Sequence, residues 1–351
     1  MKARIYLVLF VQSHSGNKKD GGGLRGYHKR VLFHGRFWLA LLPAALFAQY
    51  YAAPAGIRPA LRKSGSSILA GGRIISPLGN EYVTGAGAFG LAVSPSGRTV
   101  VTSNAGPSRN SLTVLERGKG ENWDVRQIIA KSPESAAEFD AADWKGVFMG
   151  LAFSGERSLY VSEGNSGRIS LFEWKSDRRR TIDLNQQGFE DSYTGDLALD
   201  PAREILYVVD QANFRVAVID TKSRQIKASI RVGRLPFALA LSPDRRKLYV
   251  TNIGMFQYRA IPGADPKNAK ETGLDFPAFG FPSPASVSGA ERQTGRGAVQ
   301  VPGLGDPNVN ESNSLCVIDV ASPAEPKLET FIRTGVPLGR RVWAAAAPRG
   351  W

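Results

Sequence analysis

Histidine is nearly missing from this chain. Of 351 residues only His14, His28 and His34 are histidine, and none follows residue 34. A Ser-His-Asp triad, a Cys-His pair and a His-ligated zinc are thereby excluded from the body of the chain. Cysteine is missing too, apart from Cys316, which rules out an intramolecular disulfide framework and any CxxC metal site. Acidic charge is missing from the first 63 residues, where eleven Lys and Arg face Asp20 alone. Most of the formal charge of +14 therefore sits in this leader, with three more arginines, Arg340, Arg341 and Arg349, in the last twelve residues. Between residues 64 and 339 the charge nearly balances. Nucleic-acid binding needs positive charge concentrated on the surface that meets phosphate, so no nucleic-acid partner is expected. A run long enough to span a membrane is also lacking. Phe37–Ala48 is apolar over 12 residues and is interrupted by Pro43, whereas a span needs about 20.

What is present begins with that short run. His28-Lys29-Arg30 and Arg36 precede it, and small residues such as Ala53-Pro54-Ala55 follow. A basic segment, a short apolar core and small residues describe a secretory signal peptide, so export to the periplasm or beyond is expected, with no stable span after cleavage. An uncleaved anchor is the alternative. Residues 1–55 form this leader, and 1–27 read as an overlong start. Residues 56–71 form a linker, 72–339 the folded body, and 340–351 a tail outside any pattern.

The body repeats. Phe89–Ala105, Met149–Asn165, Gly195–Gln211 and Phe237–Ile253 each hold an apolar run, a polar turn such as Ser94-Pro95-Ser96-Gly97, and a β-branched run with a polar end. Apolar runs around such turns predict β-hairpins. A third run follows in each unit (Ser111–Arg117, Arg168–Trp174, Arg215–Thr221, Ser314–Val320), and then a fourth (Val125–Ala130, Arg180–Leu184, Ile226–Val232, Leu328–Arg333). The leading leucines are Leu91, Leu151, Leu197 and Leu239, a period just above 40 once insertions near 118–148 and 256–312 are set aside. Four short antiparallel strands at that period predict an all-β fold, a β-propeller with about four blades and a partial one.

Leu248-Tyr249-Val250-Thr251-Asn252 contains the Tyr-Val-Thr-Asn core of the YVTN repeat, and Leu159-Tyr160-Val161-Ser162 and Leu206-Tyr207-Val208-Val209 are variants of it. The chain thus resembles YVTN-repeat, YncE-like propellers over about residues 72–335. Thr84–Gly90 and Val301–Asn308 further resemble the propeller of large exported bacterial proteins in which an alkaline-phosphatase-like phosphoesterase domain follows. That resemblance implies about seven blades. The repeat fails after Gly335-Val336-Pro337-Leu338-Gly339, so a truncated or frameshifted product is expected, with a small complete ring as the alternative.

Alignment of the repeats puts Asn104, Glu163, Asp210 and Asn252 at equivalent positions, each ending a second strand. Equivalent positions in a propeller surround one axis, and two carboxylates with two amides suit a hard cation such as Ca²⁺. The competing reading is that Asn and Asp end strands because their side chains serve the turn. Other features read as structural. Asp200-Pro201 and Ser242-Pro243-Asp244 are turns, and Arg178–Arg180 and Arg245–Lys247 discourage edge pairing. Gly85–Gly90 opens a strand and so lacks the helix N-terminus of a phosphate loop. Trp144, Phe148, Trp174 and Phe214 pack blades, and Cys316 is a small core residue. The insertion 256–312, rich in Gly, Pro, Ala and Ser, is expected to be without structure, although Asp275–Ser283 could dock a partner or cap a face.

The function expected from the sequence is a non-catalytic recognition or scaffolding module for a protein or small-molecule ligand, with no cofactor. The alternatives are a Ca²⁺-dependent, lactonase-like hydrolase that uses Asn104, Glu163, Asp210 and Asn252, and a gene product without independent function. No phosphatase motif occurs in the chain.

Overall fold

The computed structural model describes residues 66–334, apart from 70–71, 107–109, 121, 130–145, 177, 258, 260, 266–267, 275–278, 280–282 and 295–296. The leader, the tail and Trp144 lie outside the described residues. The chain divides into two compact units, the second beginning at Thr84. In the first, β1 (Ser67–Ile68) and β2 (Ile74–Ile75) pair as a short antiparallel hairpin.

The second unit contains four four-stranded antiparallel sheets, one per repeat. Blade one comprises β3 (Ala88–Val93), β4 (Thr99–Ala105), β5 (Asn110–Arg117) and β6 (Trp123–Ile129). Blade two comprises β7 (Leu151–Phe153), β8 (Ser158–Ser162), β9 (Arg168–Glu173) and β10 (Arg178–Asp183). Blade three comprises β11 (Thr194–Asp200), β12 (Ile205–Asp210), β13 (Arg215–Asp220) and β14 (Gln225–Arg231). Blade four opens with β15 (Pro236–Leu241) and β16 (Lys247–Asn252). The chain then departs through α1 (Ala269–Thr272), α2 (Pro284–Ser288) and the hairpin β17 (Gly289–Thr294) and β18 (Gly297–Pro302), and returns as β19 (Ser314–Asp319) and β20 (Lys327–Arg333).

The sequence expectation for the long insertion is corrected here. Ser283 caps α2, accepting from the Ser286 amide while the Ser286 hydroxyl accepts from the Ser283 amide, and Pro284 opens the first turn. The insertion is also tied to its blade. Buried Arg234, in the loop leading into β15, donates through Nη1 to the Met255 and Asp306 carbonyls at 2.6 and 2.7 Å. The fourth strand expected at Val125–Ala130 is β6, and residues 130–145 of the insertion near 118–148 lie outside the described residues.

The blades pack face to face through alternate residues of their strands, as a pleat requires. Val101, Leu112 and Val114 of blade one meet Leu151, Leu159 and Phe172 of blade two. Tyr160 and Ile169 then meet Leu206 and Val208 of blade three. Tyr207 and Val218 meet Leu248 and Val250 of blade four. The innermost strands β3, β7, β11 and β15 neighbour one another in that order. Among the described residues the series is not closed into a ring.

Glycine sets the spacing at the inner strands. A Cβ on Gly90 would lie 2.1 Å from the Met149 carbonyl oxygen, and one on Gly150 would lie 2.2 Å from that of Gly195. Each of these residues thus lets one blade touch the backbone of the next. Blade three has Asp196 at the corresponding place, and its carboxylate accepts from the Leu239 amide of blade four at 3.1 Å.

The hairpin turns, expected only to reverse the chain, also join blades. In blade one the Glu156 carboxylate of blade two accepts from the Ser96 amide at 2.9 Å and from the Ser96 hydroxyl at 2.5 Å. Between blades three and four, Arg203 pairs with Asp200 at 2.5 Å, donates to the Val320 carbonyl at 2.7 Å and also donates to that of Arg245. The Ser96 hydroxyl holds the Glu156 carboxyl below its ordinary pKa. A depressed carboxylate pKa gives stability that is complete above the unfolded-state value and is lost as pH falls through the folded one. NMR titration is expected to place Glu156 below ordinary exposed glutamates, and Ser96→Ala should return it towards their value. An unchanged titration in that variant would remove the clamp.

Candidate functional site

The four equivalent polar residues lie where alignment put them. Asn104, Glu163, Asp210 and Asn252 are all fully buried: Asp210 and Asn252 end β12 and β16, Glu163 lies one residue past β8, and Asn104 lies one residue before the end of β4. The residue before each has its own task. The Ser103, Ser162 and Thr251 hydroxyls accept from the Gly90, Gly150 and Ala238 amides at 2.9, 2.9 and 3.1 Å. In blades one and four the inner strand has a bulge at this point, and the hydroxyl satisfies an amide that the irregular ladder leaves out. Blade three has Val209 here, and its bulge carries no such bond.

Each of the four bonds chiefly to the third strand of its own repeat or to the turn that leads into it. Asn104 Nδ2 donates to Ser111 Oγ at 3.1 Å and to Thr113 Oγ1 at 2.9 Å, while its Oδ1 accepts from Thr102 Oγ1 at 2.9 Å. Glu163 accepts from Arg168 Nε and Nη2 at 3.2 and 2.7 Å, and from the Ser170 hydroxyl. Asp210 accepts from Arg215 Nε and Asn213 Nδ2, both at 2.9 Å, and from the Tyr193 amide at 3.1 Å. Arg215 is itself buried. It donates to Ser229 Oγ at 2.9 Å and to the Leu184 carbonyl at 2.8 Å, and its guanidinium lies 3.4 Å from the centroid of the Phe189 ring. Asn252 Nδ2 donates to Ser314 Oγ at 3.1 Å, and its buried Oδ1 has no partner among the described residues. Val250 stands where blade one has Thr102, which explains the difference.

These contacts define what the ring can do. Glu163 and Asp210 are neutralised by arginines, so a dication would have to take each carboxylate from a guanidinium. Among the described residues no three His, Cys, Asp or Glu side chains gather as a metal site would require. Sequence reasoning named none of these partners, Arg168 and Arg215 included. Two of them left a signal, because Glu163 and Arg168, like Asp210 and Arg215, are five residues apart across a tight hairpin turn.

Beside this ring runs a row of aromatic rings. Phe89 and Phe148 have centroids 5.4 Å apart at 30°, and Phe148 and Tyr193 are 5.3 Å apart at 87°. The bulge leaves Phe89 44% exposed, and the other two are half-buried. The row crosses the start of three successive inner strands. Trp174 packs edge-on to Phe153 between blades, as expected. Cys316 is fully buried in β19, and burial pushes its thiol up to about 12. A thiol reagent is therefore expected to leave the native protein unlabelled and to react in full only after unfolding. Rapid labelling of the native protein would contradict that burial.

The fold is that of β-propeller blades. No family model and no curated protein matches the chain. Among solved structures it is similar to hydrazine synthase from Kuenenia stuttgartiensis, at 16% identity and a TM-score of 0.38 over 70% of this chain and 49% of that one. It is also similar to a functionally unknown protein from Desulfotomaculum acetoxidans, at 11% identity and 0.44 over 76% and 63%. A third is the periplasmic gluconolactonase of Pseudomonas aeruginosa, at 16% identity and 0.40 over 77% and 76%. The chain thus spans about half the length of the first and less than two thirds of the second.

Proposed function

We propose that the chain is a YVTN-type propeller module that recognises a protein or small-molecule ligand outside the cytoplasm and catalyses no reaction itself. The observation that carries this reading is the chemistry of the ring. Asn104, Glu163 and Asp210 have their polar atoms engaged by their own blades, so the residues best suited to catalysis or metal binding serve as cross-links between second and third strands. The half-exposed row of Phe89, Phe148 and Tyr193 supports a ligand face at the start of the inner strands. Aromatic faces of this kind bury flat or apolar groups with little loss of side-chain freedom. The Tyr-Val-Thr-Asn core of blade four supports the narrower YVTN assignment.

One observation favours a second reading, a Ca²⁺-dependent lactonase. The buried Asn252 Oδ1 is an open acceptor among the described residues, whereas Asn104, Glu163 and Asp210 are engaged. Hydrolysis of gluconolactone, measured with Ca²⁺ and with a chelator, separates the two. No rate above buffer is expected in either condition. A Ca²⁺-dependent rate that Glu163→Gln abolishes, with its thermal stability retained, would sink the recognition reading in favour of the enzyme.

A further inference from the structure

Away from the ring and the aromatic row, one groove gathers positive charge in excess of the acids around it. Each blade carries a carboxylate at or beside the end of its third strand, and the fourth strand begins opposite. The pairs are Glu116 with Asp124, Glu173 with Arg178, Asp220 with Gln225 and Asp319 with Lys327. Further along the fourth strand, on the same face, stand Arg126, Arg180, Ala228 and Thr330. Blade two alone has an arginine at both places. Arg178 and Arg180 lie in line with Ser158 and Tyr160, on the face where Tyr160 and Ile182 meet Leu206 and Ile219 of blade three.

A cavity of about 310 Å³ opens at this corner, lined by Arg157, Ser158, Glu173, Lys175 and Ser176. Arg224 approaches from blade three. Burial lifts the Tyr160 hydroxyl above its ordinary pKa while Arg180 and Arg224 pull it back, so a cation from each blade acts on that hydroxyl. Arg157, Lys175, Arg178, Arg180 and Arg224 are exposed and make no ion pair among the described residues. The acids nearby are already engaged. Glu204 pairs with Lys222 at 2.7 Å, Asp220 accepts from Ser223 and faces Lys227, and Glu156 is held by Ser96 of blade one. Glu173 accepts from the Ser176 hydroxyl at 3.2 Å. Counting Asp177, which lies outside the described residues, two acids face five cations. Charge that only guards a sheet edge needs no cavity and no cation from the next blade.

We propose that this groove between blades two and three binds a phosphate or sulfate group, free or as the ester of a small molecule. Guanidinium forks match the paired oxygens of such a group, and a cleft of one sign concentrates anions within it. The Ser158 and Ser176 hydroxyls supply further donors. Glu173 repels the anion itself and can accept from a hydroxyl on the rest of an ester. The groove lies at the turn end of the blades, whereas Phe89 and Phe148 lie at the opposite end, so this site is independent of the recognition role.

Isothermal titration calorimetry of the full chain at low, constant ionic strength tests the site with inorganic phosphate, sulfate and glycerol phosphate. One saturable site is expected. Tighter binding of glycerol phosphate marks an ester as the ligand, and equal binding marks the free ion. The double variant Arg178→Gln/Arg180→Gln should weaken binding about tenfold or more, the usual worth of hydrogen bonds to a charged group. Both side chains are exposed, and circular dichroism checks that the variant folds. Glu173→Gln should tighten binding a few-fold by removing a like charge. Lys327→Gln, at the matching strand position of blade four, is the control and should change nothing. No saturable site with any of the three probes would overturn the proposal. Equal weakening by Lys327→Gln and by the arginine pair would overturn it too, since binding would then be a general attraction to basic surface.

Discussion

Replacing Asp210 with alanine is expected to destabilise the protein by about 3–5 kcal/mol, the usual cost of stranding one partner of a buried ion pair. The size follows from what remains. Arg215 is 1% exposed, and its other partners, Ser229, the Leu184 carbonyl and the Phe189 ring, are neutral. It cannot turn to water without giving up those contacts. Urea denaturation of Asp210→Ala measures the loss. The double variant Asp210→Ala/Arg215→Met should recover a large part of it, because removing both charges also removes their desolvation cost. Glu163→Ala should cost less, since the side chain of Arg168 is 19% exposed and can reach solvent. Equal losses in the two single variants would refute this account of the ring.

The second large effect is expected from one added methyl group. Gly150→Ala would place a Cβ 2.2 Å from the Gly195 carbonyl oxygen and 2.8 Å from Leu197 Cγ. The obstacle is backbone, so no rotamer change relieves it and the blades must move apart. Overpacking of this kind costs about 1–3 kcal/mol, occasionally more, and the upper end is expected here. Gly79→Ala, with nothing within 4 Å of the new Cβ, is the control and should change stability by less than about 0.5 kcal/mol. A Gly150→Ala melting curve that coincides with wild type would show that glycine does not set the spacing.

The strands were legible to within one or two residues because each announces itself twice. Apolar alternation gives the run, and a polar turn ends it. Thus β9, β13 and β19 begin at Arg168, Arg215 and Ser314, where the sequence placed their runs. The strand-end positions of the four polar residues were equally legible, whereas the arginines and hydroxyls that they bond were not. A carboxylate ending a strand looks the same whether it faces a cation or an arginine, and only the five-residue spacing to Arg168 and Arg215 separates the cases. The contact of Ser96 with Glu156 spans 60 residues and depends on how two blades meet, so local pattern could not disclose it. The long insertion misled for a different reason. Its Gly and Pro content suggested a structureless loop, while Ser283-Pro284 and the alternation on either side of Gly297 carry the cap and the hairpin.

The spacing set by Gly90 and Gly150 has a mechanical consequence. Among the described residues each blade of a single copy is gripped by its neighbours, so loads and thermal openings pass through the blades as through a row of linked plates. Coupling of this nearest-neighbour kind makes the outer plates release before the inner ones. Pulling on the two ends of the chain would therefore peel blades one and four away in separate steps. Blades two and three, locked on both sides, would yield last and together.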